Sequence, residues 1–397
     1  MPSRRNFLTS AAATLACSGS LLRGQIAGSQ RTVVIMFDGF GLDYFEKSSA
    51  PTLRRWQKEG FYKRVKGVMP SVTNANNASI CCGAFPRVHG ITGNSYLDAQ
   101  TGREEYMEAA NLLQAPTLFE HAAKRGVKSA LLSSKKKTIS LLSKGTSFAL
   151  TAEQPPEEWV NRLGPAPPIY SREINYWLMR AAISVLKHRP EIGCLYVHTT
   201  DYPMHTWEPA AKESQEHIRM VDDLLGQACT AAPDAAFLLT ADHGLNHKRK
   251  CYDLDKTLAG MALPIRISIS AERDRYLQHH QGFGGTAWVY LDNPGDSEKV
   301  IRALSGLPGV ESVLTREAAA SRYSLYPSRI GDICLFGDRH TVFGQLDEAS
   351  IDLPEEYRSH GSASETDIPL FAYNAKGLPP AKYFEHNLDL ARWLYRG

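Results

Sequence analysis

Three short, mostly apolar runs recur along the first two thirds of the chain, at residues 32–37, 194–199 and 237–240, and residues 127–132 also read as a strand. Near-continuous apolar runs are typical of strands buried on both faces of a parallel sheet, and the longer amphipathic stretches between them are typical of helices. The pattern predicts an α/β fold with a central, mostly parallel sheet sandwiched by helices. Residues 151–170, rich in proline and polar groups, are expected to form a surface loop.

After Gly244 the pattern changes to shorter segments. Residues 246–344 include a glycine-rich stretch followed by a strand-like run at 286–291. This change predicts a smaller α+β cap inserted into the core. Residues 31–245 and 345–397 are then expected to form the α/β core.

Residues 1–30 differ in composition from the rest of the chain. Arg4 and Arg5 precede Phe-Leu and a mild apolar run rich in Ala, Ser and Thr, with no acidic residue. This arrangement is typical of a twin-arginine signal and predicts recognition by the twin-arginine export machinery and a periplasmic location. Lipid attachment at Cys17 is an alternative. No other stretch is apolar over the length of a membrane-spanning helix.

Charge and cysteine content argue against two classes of site. The chain has 45 basic and 42 acidic residues, and three of the basic ones, Arg4, Arg5 and Arg23, lie in the leader. The remainder is neutral overall, so no nucleic-acid-binding surface is implied. The cysteines include no C-x-x-C pair, so a cysteine-ligated zinc site is not expected.

Carboxylate and imidazole side chains follow the predicted strands or lie just before one. The six residues are Asp38, Asp201, His205, Asp242, His243 and His360. Ligands of open α/β sheets bind at the carboxyl ends of the strands, and nitrogen and oxygen donors suit a divalent metal such as zinc. Alone, each has a simpler explanation, such as a helix cap or an ion pair four residues apart. Six donors are too many for one zinc and divide into two sites bridged by substrate.

Thr73 lies between a predicted strand and a helix over residues 74–82. A hydroxyl at that point faces unpaired backbone N–H groups, which favour an anion such as phosphate. The alternative is that Thr73 only caps the helix.

Three further polar residues are candidates for holding a substrate. Asn94 lies in a glycine-rich turn, and Lys135 and Lys137 follow the run at 127–132. Lysines after a strand usually form a solvated loop, but at the shared sheet edge they can hold an anionic group.

Five motifs, in this order, resemble those of the alkaline phosphatase superfamily in its nucleotide pyrophosphatase/phosphodiesterase branch. They are Phe37-Asp38-Gly39, Pro70-Ser-Val-Thr73-Asn, Thr200-Asp-Tyr-Pro-Met-His205, Thr240-Ala-Asp-His-Gly244 and His360-Gly361. Within the branch the chain is most similar to phosphonoacetate hydrolase. The supporting segments are 199–202, 241–246, 330–332 and 358–361, together with Lys135 and Lys137.

The resemblance implies two Zn²⁺ ions per chain and assigns their ligands. One zinc is held by Asp201, His205 and His360. The other is held by Asp38, Asp242 and His243, with Thr73 as its nucleophilic ligand.

The resemblance also implies the reaction. Thr73 attacks phosphorus, the C–P bond breaks to give acetate, and water releases phosphate from the phosphothreonine. Asn94 donates a hydrogen bond to a phosphonyl oxygen, while Lys135 and Lys137 bind the substrate carboxylate.

Departures from the family pattern leave the substrate open between a small anionic phosphonate and a phosphate ester. A third lysine, Lys136, separates the other two, Pro203-Met204 lies between two ligands, and an export leader is present. The alternative function is a type I phosphodiesterase or nucleotide pyrophosphatase. A non-catalytic binding protein is disfavoured by the intact ligand set, and a homodimer is an open alternative to a monomer.

Overall fold

The computed structural model describes residues 30–275 and 281–395. The predicted twin-arginine signal over residues 1–30 lies outside this part of the chain except for Gln30, and Cys17 lies outside it too. Both therefore stay predictions. No helix in the described ranges is long and apolar enough to cross a membrane.

The described chain contains strands and helices of varied length. The strands are β1 Thr32–Met36, β2 Phe61–Lys66, β3 Ser95–Leu97, β4 Glu104–Tyr106, β5 Lys128–Ser133, β6 Phe148–Thr151, β7 Ile192–His198, β8 Ala236–Thr240, β9 Asn246–His247, β10 Lys250–Tyr252, β11 Ile267–Ser270, β12 Thr286–Tyr290, β13 Val310–Thr315, β14 Ile333–Gly337, β15 Thr341–Phe343, β16 Ser350–Asp352, β17 Arg358–Ser359 and β18 Asp367–Tyr373. The α-helices are α1 Leu42–Lys47, α2 Pro51–Glu59, α3 Thr73–Cys82, α4 Pro86–His89, α5 Leu118–Lys124, α6 Lys136–Leu142, α7 Glu157–Leu163, α8 Glu173–His188, α9 Tyr202–Thr206, α10 Lys212–Ala231, α11 Leu254–Gly260, α12 Ser297–Ser305, α13 Arg316–Tyr323 and α14 Asp389–Arg392.

A seven-stranded sheet forms the centre of the described chain, in the order β2-β18-β8-β1-β7-β5-β6. The five strands from β8 to β6 run parallel, whereas β18 is antiparallel to both of its neighbours. Strands β1 and β8 are buried at every position, as expected for a sheet covered on both faces. The predicted α/β class and mostly parallel sheet are confirmed.

Helices cover the sheet and contribute to one large apolar core. Trp56 of α2 stacks on Tyr373 of β18, with ring centroids 5.6 Å apart. Phe119 of α5 meets Tyr196 of β7 edge to face at 5.9 Å. Aromatic contacts of this kind hold the helices on the sheet in addition to the area they bury.

The expectation of a surface loop over residues 151–170 is wrong at α7. Trp159 of that helix is 1% exposed and packs against Phe148 of β6, with ring centroids 5.8 Å apart. Pro156 is the residue just before the helix, where it removes no hydrogen bond of the helix. The prolines therefore flank this helix and do not exclude it.

A second, antiparallel sheet in the order β11-β12-β14-β13 has its own apolar clusters. All four strands lie within residues 246–344. The division of the chain at those residues stays a prediction, and β16, beyond the predicted boundary, pairs with β10 inside it.

Backbone hydrogen bonds connect the residues that flank β11 and β12 to two predicted site residues. The N–H of Gly285 donates to the carbonyl of His360 at 2.9 Å, and the N–H of Asn94 donates to the carbonyl of Ala271 at 2.8 Å. The second sheet is therefore in direct contact with two of the predicted site residues.

A buried hydroxyl joins the central sheet to the helix that begins at Thr73. The Tyr196 hydroxyl donates to Oδ1 of Asn77 in α3 at 2.6 Å, and both residues are buried. Tyr196→Phe leaves this acceptor without its donor, which should cost about 1–3 kcal/mol in the free energy of unfolding. Urea denaturation measures the change.

Tyr62→Phe is the matched control, because the Tyr62 hydroxyl makes no hydrogen bond within the described residues. Equal stabilities for the two variants would show that the Tyr196 hydroxyl contributes nothing to the attachment of α3.

Candidate metal centre

The carboxyl ends of three adjacent parallel strands bring the predicted carboxylates together. In register, Met36 of β1 lies beside His198 of β7 on one side and Thr240 of β8 on the other. Asp38, Asp201 and Asp242 follow these ends within a few residues. All three are at most 2% exposed, so the centre lies inside the protein.

Asp38, Asp242 and His243 form one group of donors. Nε2 of His243 is 3.2 Å from Oδ2 of Asp242 and 3.8 Å from Oδ1 of Asp38. Their donor atoms can converge on one ion. The predicted ligands of this site are therefore adjacent in the fold.

Asp201, His205 and His360 are also adjacent. Nε2 of His205 is 3.0 Å from Oδ2 of Asp201, and Nε2 of His360 is 3.7 Å from the same oxygen. On the Asp201 side, the donor atoms that lie close enough together to hold one ion belong to Asp201, His243 and His360. The His243 and His360 rings stack, with centroids 3.6 Å apart. His205 lies at the rim of this group, with its ring 5.3 Å from that of His360.

All three histidines have a backbone carbonyl at Nδ1. His205 faces the carbonyl of Arg358 at 2.8 Å, His243 that of Gly244 at 3.1 Å, and His360 that of Ser71 at 2.8 Å. A carbonyl only accepts, so each Nδ1 carries the proton. In a neutral ring Nε2 is then a lone-pair donor, which is how metal-binding histidines are oriented.

This tautomer makes the donor set suitable for metal ions. The Nε2 lone pairs of His205 and His243 face carboxylate oxygens at 3.0 and 3.2 Å. Two electron-rich atoms at that distance repel each other unless a cation lies between or beside them. A proton or a divalent ion meets this need, and nitrogen and carboxylate oxygen are ligands that zinc accepts. Within the described chain, Oδ2 of Asp242 also receives no hydrogen bond.

Charges within the protein shift the pKa values at the centre. Burial opposes a charge on His243, but Asp242 and Asp38 raise its pKa to about 9. Burial and Asp201 would raise the pKa of Asp38, yet Lys135 and His198 hold it below its usual range. Burial lowers the pKa of His360 well below normal, aided by the other two imidazoles.

Thr73 is the first residue of α3, and the helix cap is Val72. The alternative in which Thr73 only caps the helix is therefore wrong, since its side chain accepts no capping hydrogen bond. Its Oγ1 lies 3.5 Å from Oδ1 of Asp38 and 3.5 Å from Nε2 of His243. The hydroxyl thus faces the candidate metal centre at the amino end of a helix.

The two lysines are not a solvated loop. Lys135 is 8% exposed, and its ammonium group lies 2.7 Å from Asp38 and 3.1 Å from Asp201. Burial opposes its charge, but the two carboxylates raise its pKa. Lys137 pairs with Asp274. Lys136, which lies between the two lysines in the sequence, is exposed.

Asn94 is 1% exposed and lies against the second sheet. Its Nδ2 donates to the carbonyl of Glu272 at 3.1 Å, and within the described residues its Oδ1 has no hydrogen-bond partner. A buried amide of this kind is suited to a polar ligand.

Two buried residues near the centre were not predicted. Nε2 of His198 donates to Oδ2 of Asp38 at 3.2 Å, and its Nδ1 lies 2.9 Å from Oγ of Ser133. Glu272, 2% exposed, places Oε1 3.8 Å from Nε2 of His360, and burial raises its pKa to about 8. The position of His198 at the end of β7 is a signal from which it could have been predicted. No local pattern of the sequence points to Glu272.

The fold and the centre together define the class. The class is that of the phosphoryl-transfer metallohydrolases. Its features here are a mostly parallel α/β sheet, buried aspartate and histidine donors at the carboxyl edge of that sheet, and a hydroxyl at a helix N-terminus. A sequence model of the family "Type I phosphodiesterase / nucleotide pyrophosphatase" matches residues 32–363, and the chain belongs to this family.

Solved structures agree with this assignment. Phosphonoacetate hydrolase from Sinorhizobium meliloti, in complex with phosphonoacetate, is 28% identical and superposes with a TM-score of 0.84 over 93% of this chain and 96% of that one. Murine ectonucleotide pyrophosphatase/phosphodiesterase 5 shares the fold at 17% identity, with a TM-score of 0.68 over 91% of this chain and 93% of that one.

Curated relatives match over part of their length. Mouse bis(5'-adenosyl)-triphosphatase enpp4 is 23% identical over 256 residues, which are 58% of this chain and 51% of that protein. The venom phosphodiesterase of Naja atra is 22% identical over 247 residues, 58% of this chain and 28% of the venom protein. The chain spans about half or less of the length of these relatives.

Removal of divalent metal should destabilise the protein, because an ion at these donors binds the folded chain alone. At a thousandfold excess over its dissociation constant, each ion adds about 4 kcal/mol. Melting in excess chelator and in excess zinc measures the difference in Tm. Asp242→Asn should shrink the metal-dependent shift.

Asp352→Asn is the control, since Asp352 pairs with Lys250 at an exposed position in the separate three-stranded sheet β15-β10-β16. Its metal-dependent shift should match that of the wild type. Equal Tm values in chelator and in zinc for the wild type would contradict the assignment of a metal centre.

Proposed function

We propose that the protein is a di-zinc hydrolase that uses Thr73 as its nucleophile and cleaves the C–P bond of phosphonoacetate or a close analogue. The observation that carries the proposal is the position of Thr73 Oγ1, which is 3.5 Å from both Asp38 and His243. Similarity to phosphonoacetate hydrolase over 93% of the chain supports the choice of substrate.

The proposed ligands of the two ions belong to the two clusters of donors described above. Asp38, Asp242 and His243, with Thr73, would hold one ion. Asp201, His205 and His360 would hold the other, and Nε2 of His205 already lies 3.0 Å from Oδ2 of Asp201. Bound ions would supply positive charge to the reacting phosphoryl oxygens and lower the pKa of the threonine hydroxyl.

The proposed reaction proceeds through a phosphothreonine at Thr73. Thr73 attacks phosphorus and forms an O–P bond while the C–P bond breaks. The electron pair of that bond passes to the carbon as an enolate, which takes a proton and leaves as acetate. Water cleaves the phosphothreonine, so phosphate leaves and the Thr73 hydroxyl is restored.

Asn94 and the lysines hold the substrate in this scheme. The second N–H of the Asn94 amide would donate to a phosphonyl oxygen. Lys135 bridges Asp38 and Asp201 and so lies beside both ion sites, where its charge offsets the buried carboxylates. Lys137 makes no ion pair with a candidate metal ligand within the described residues and is the better candidate for contact with the substrate carboxylate.

A phosphodiester is the second candidate substrate, favoured by one observation. Lys137 already forms an ion pair with Asp274, so its charge is partly neutralised before any substrate carboxylate binds. The match to the type I phosphodiesterase family is consistent with a substrate that lacks a carboxylate.

Thr73→Ala should abolish turnover of phosphonoacetate and of a nitrophenyl phosphodiester alike, because the nucleophile itself is removed. Thr73→Ser is the matched control and should retain measurable turnover. Steady-state rates are measured on zinc-loaded protein, with metal analysis of each variant. Turnover by Thr73→Ala, or fewer than two zinc ions in active wild type, would contradict the mechanism.

Lys137→Ala should lower kcat/KM for phosphonoacetate by about tenfold or more, since a charge-assisted hydrogen bond contributes roughly 1.5–3 kcal/mol. The loss should be smaller for a nitrophenyl phosphodiester with no carboxylate. Lys136→Ala, at an exposed position between the two lysines, is the control and should behave as wild type.

A different result separates the two substrates. If the wild type cleaves diesters and ignores phosphonoacetate, the C–P assignment is wrong and the phosphodiesterase function takes its place. Lys135→Ala is a poorer probe, because this lysine also pairs with Asp38 and Asp201.

A further inference from the structure

The segment that follows β11 carries two buried acidic side chains, one of which lies beside the candidate metal centre. Glu272 places Oε1 3.8 Å from Nε2 of His360. Two residues later, Asp274 forms an ion pair with Lys137 in which the side chains are 2% and 8% exposed. Both acids come from the second sheet, which the sequence alone did not connect with the substrate.

The intervening arginines turn the other way. Arg273 pairs with Glu104 at 2.8 Å, and Arg275 pairs with Glu108 at 2.7 Å. The two arginines therefore pair with acids of β4 and of the residues that follow it, whereas Glu272 lies near His360 and Asp274 pairs with Lys137.

Close packing holds this segment in place. A Cβ added to Gly284 would lie 2.7 Å from Cβ of Glu272, so the glycine leaves the room that the glutamate occupies. On the opposite side, the N–H of Asn94 donates to the carbonyl of Ala271 at 2.8 Å. Asp274 is thus presented to Lys137 by a segment packed on both sides.

We propose that Asp274 is a specificity-determining residue, which competes with an anionic substrate arm for the ammonium group of Lys137. This inference rests on the proposed function, in which Lys137 faces the arm of a phosphonate or phosphate ester. A carboxylate arm binds Lys137 only by displacing Asp274, whereas a neutral arm leaves the pair intact. Asp274 therefore lowers the affinity for carboxylate-bearing substrates and favours neutral ones.

The surroundings strengthen this competition. Charges interact more strongly in a buried site than in water, so the negative charge of Asp274 acts at short range on an incoming carboxylate. A residue that repels a competing ligand is a common source of binding specificity.

Asp274 also has room to be displaced. A polar cavity of about 250 Å³ borders it and is lined in part by Ser268, Ser270 and Arg273. None of the candidate metal ligands lines this cavity. Release of Asp274 into it would free Lys137 without moving the metal centre, so the competition is reversible.

The test compares the binding of phosphonoformate, which carries a carboxylate, with that of methylphosphonate, which does not. Calorimetric titration of the zinc-loaded full chain gives a Kd for each. Asp274→Asn should tighten phosphonoformate by about tenfold more than methylphosphonate. Asp352→Asn, the same change in an exposed ion pair, should alter neither Kd.

A double variant identifies the route. In a Lys137→Met background, Asp274→Asn should bring no selective gain for phosphonoformate. Equal changes for the two ligands, no change, or a gain that persists without Lys137 would overturn the proposal. If Asp274→Asn does not fold, Asp274→Ser serves in its place with the same expected selectivity.

The binding test of Asp274 and the turnover test of the proposed function can fail independently. Selective tightening of phosphonoformate in a protein that does not cleave phosphonoacetate supports the role of Asp274 and contradicts the C–P cleavage. Absence of binding of both ligands to wild type and variant overturns the proposal together with the phosphonate site.

Discussion

The repulsion among buried carboxylates is the constraint on which the centre depends. Three parallel strands end side by side and place Asp38, Asp201 and Asp242 in a space from which water is almost excluded. Like charges in such a place are tolerated only beside cations. Lys135 bridges two of them, and the tautomers of three histidines leave lone pairs that require a further cation.

The same requirement explains why the centre is surrounded by backbone acceptors. The carbonyls of Ser71 and Arg358 orient His360 and His205 from 289 and 153 residues away in the sequence, whereas the carbonyl of Gly244 orients the adjacent His243. His198 does the same for Asp38 through a side chain. A metal site built in this way is oriented before any ion binds, which lowers the conformational cost of binding.

Substrate choice depends on a different part of the molecule. The donors for metal come mainly from the central sheet, whereas Glu272, Asp274 and the support for Asn94 come from the second sheet. Relatives within one family can therefore share the reaction and differ in the arm they accept, because functional residues on a supporting element change without disturbing the centre. The contacts of Gly285 with His360 keep the two parts in register.

Local sequence determined the elements and much of the centre. Near-continuous apolar runs predicted β1, β7 and β8, and the polar residues after them are candidate ligands, since strand ends in a parallel sheet share one edge. Tertiary structure decided what no local pattern contains: the antiparallel β18, the helix α7 among prolines, and the ion pair of Lys137 with Asp274, 137 residues away. Pairing between distant segments is set by how the whole chain packs, so a lysine that local sequence leaves open between solvent and substrate is instead bound to an acid from another sheet.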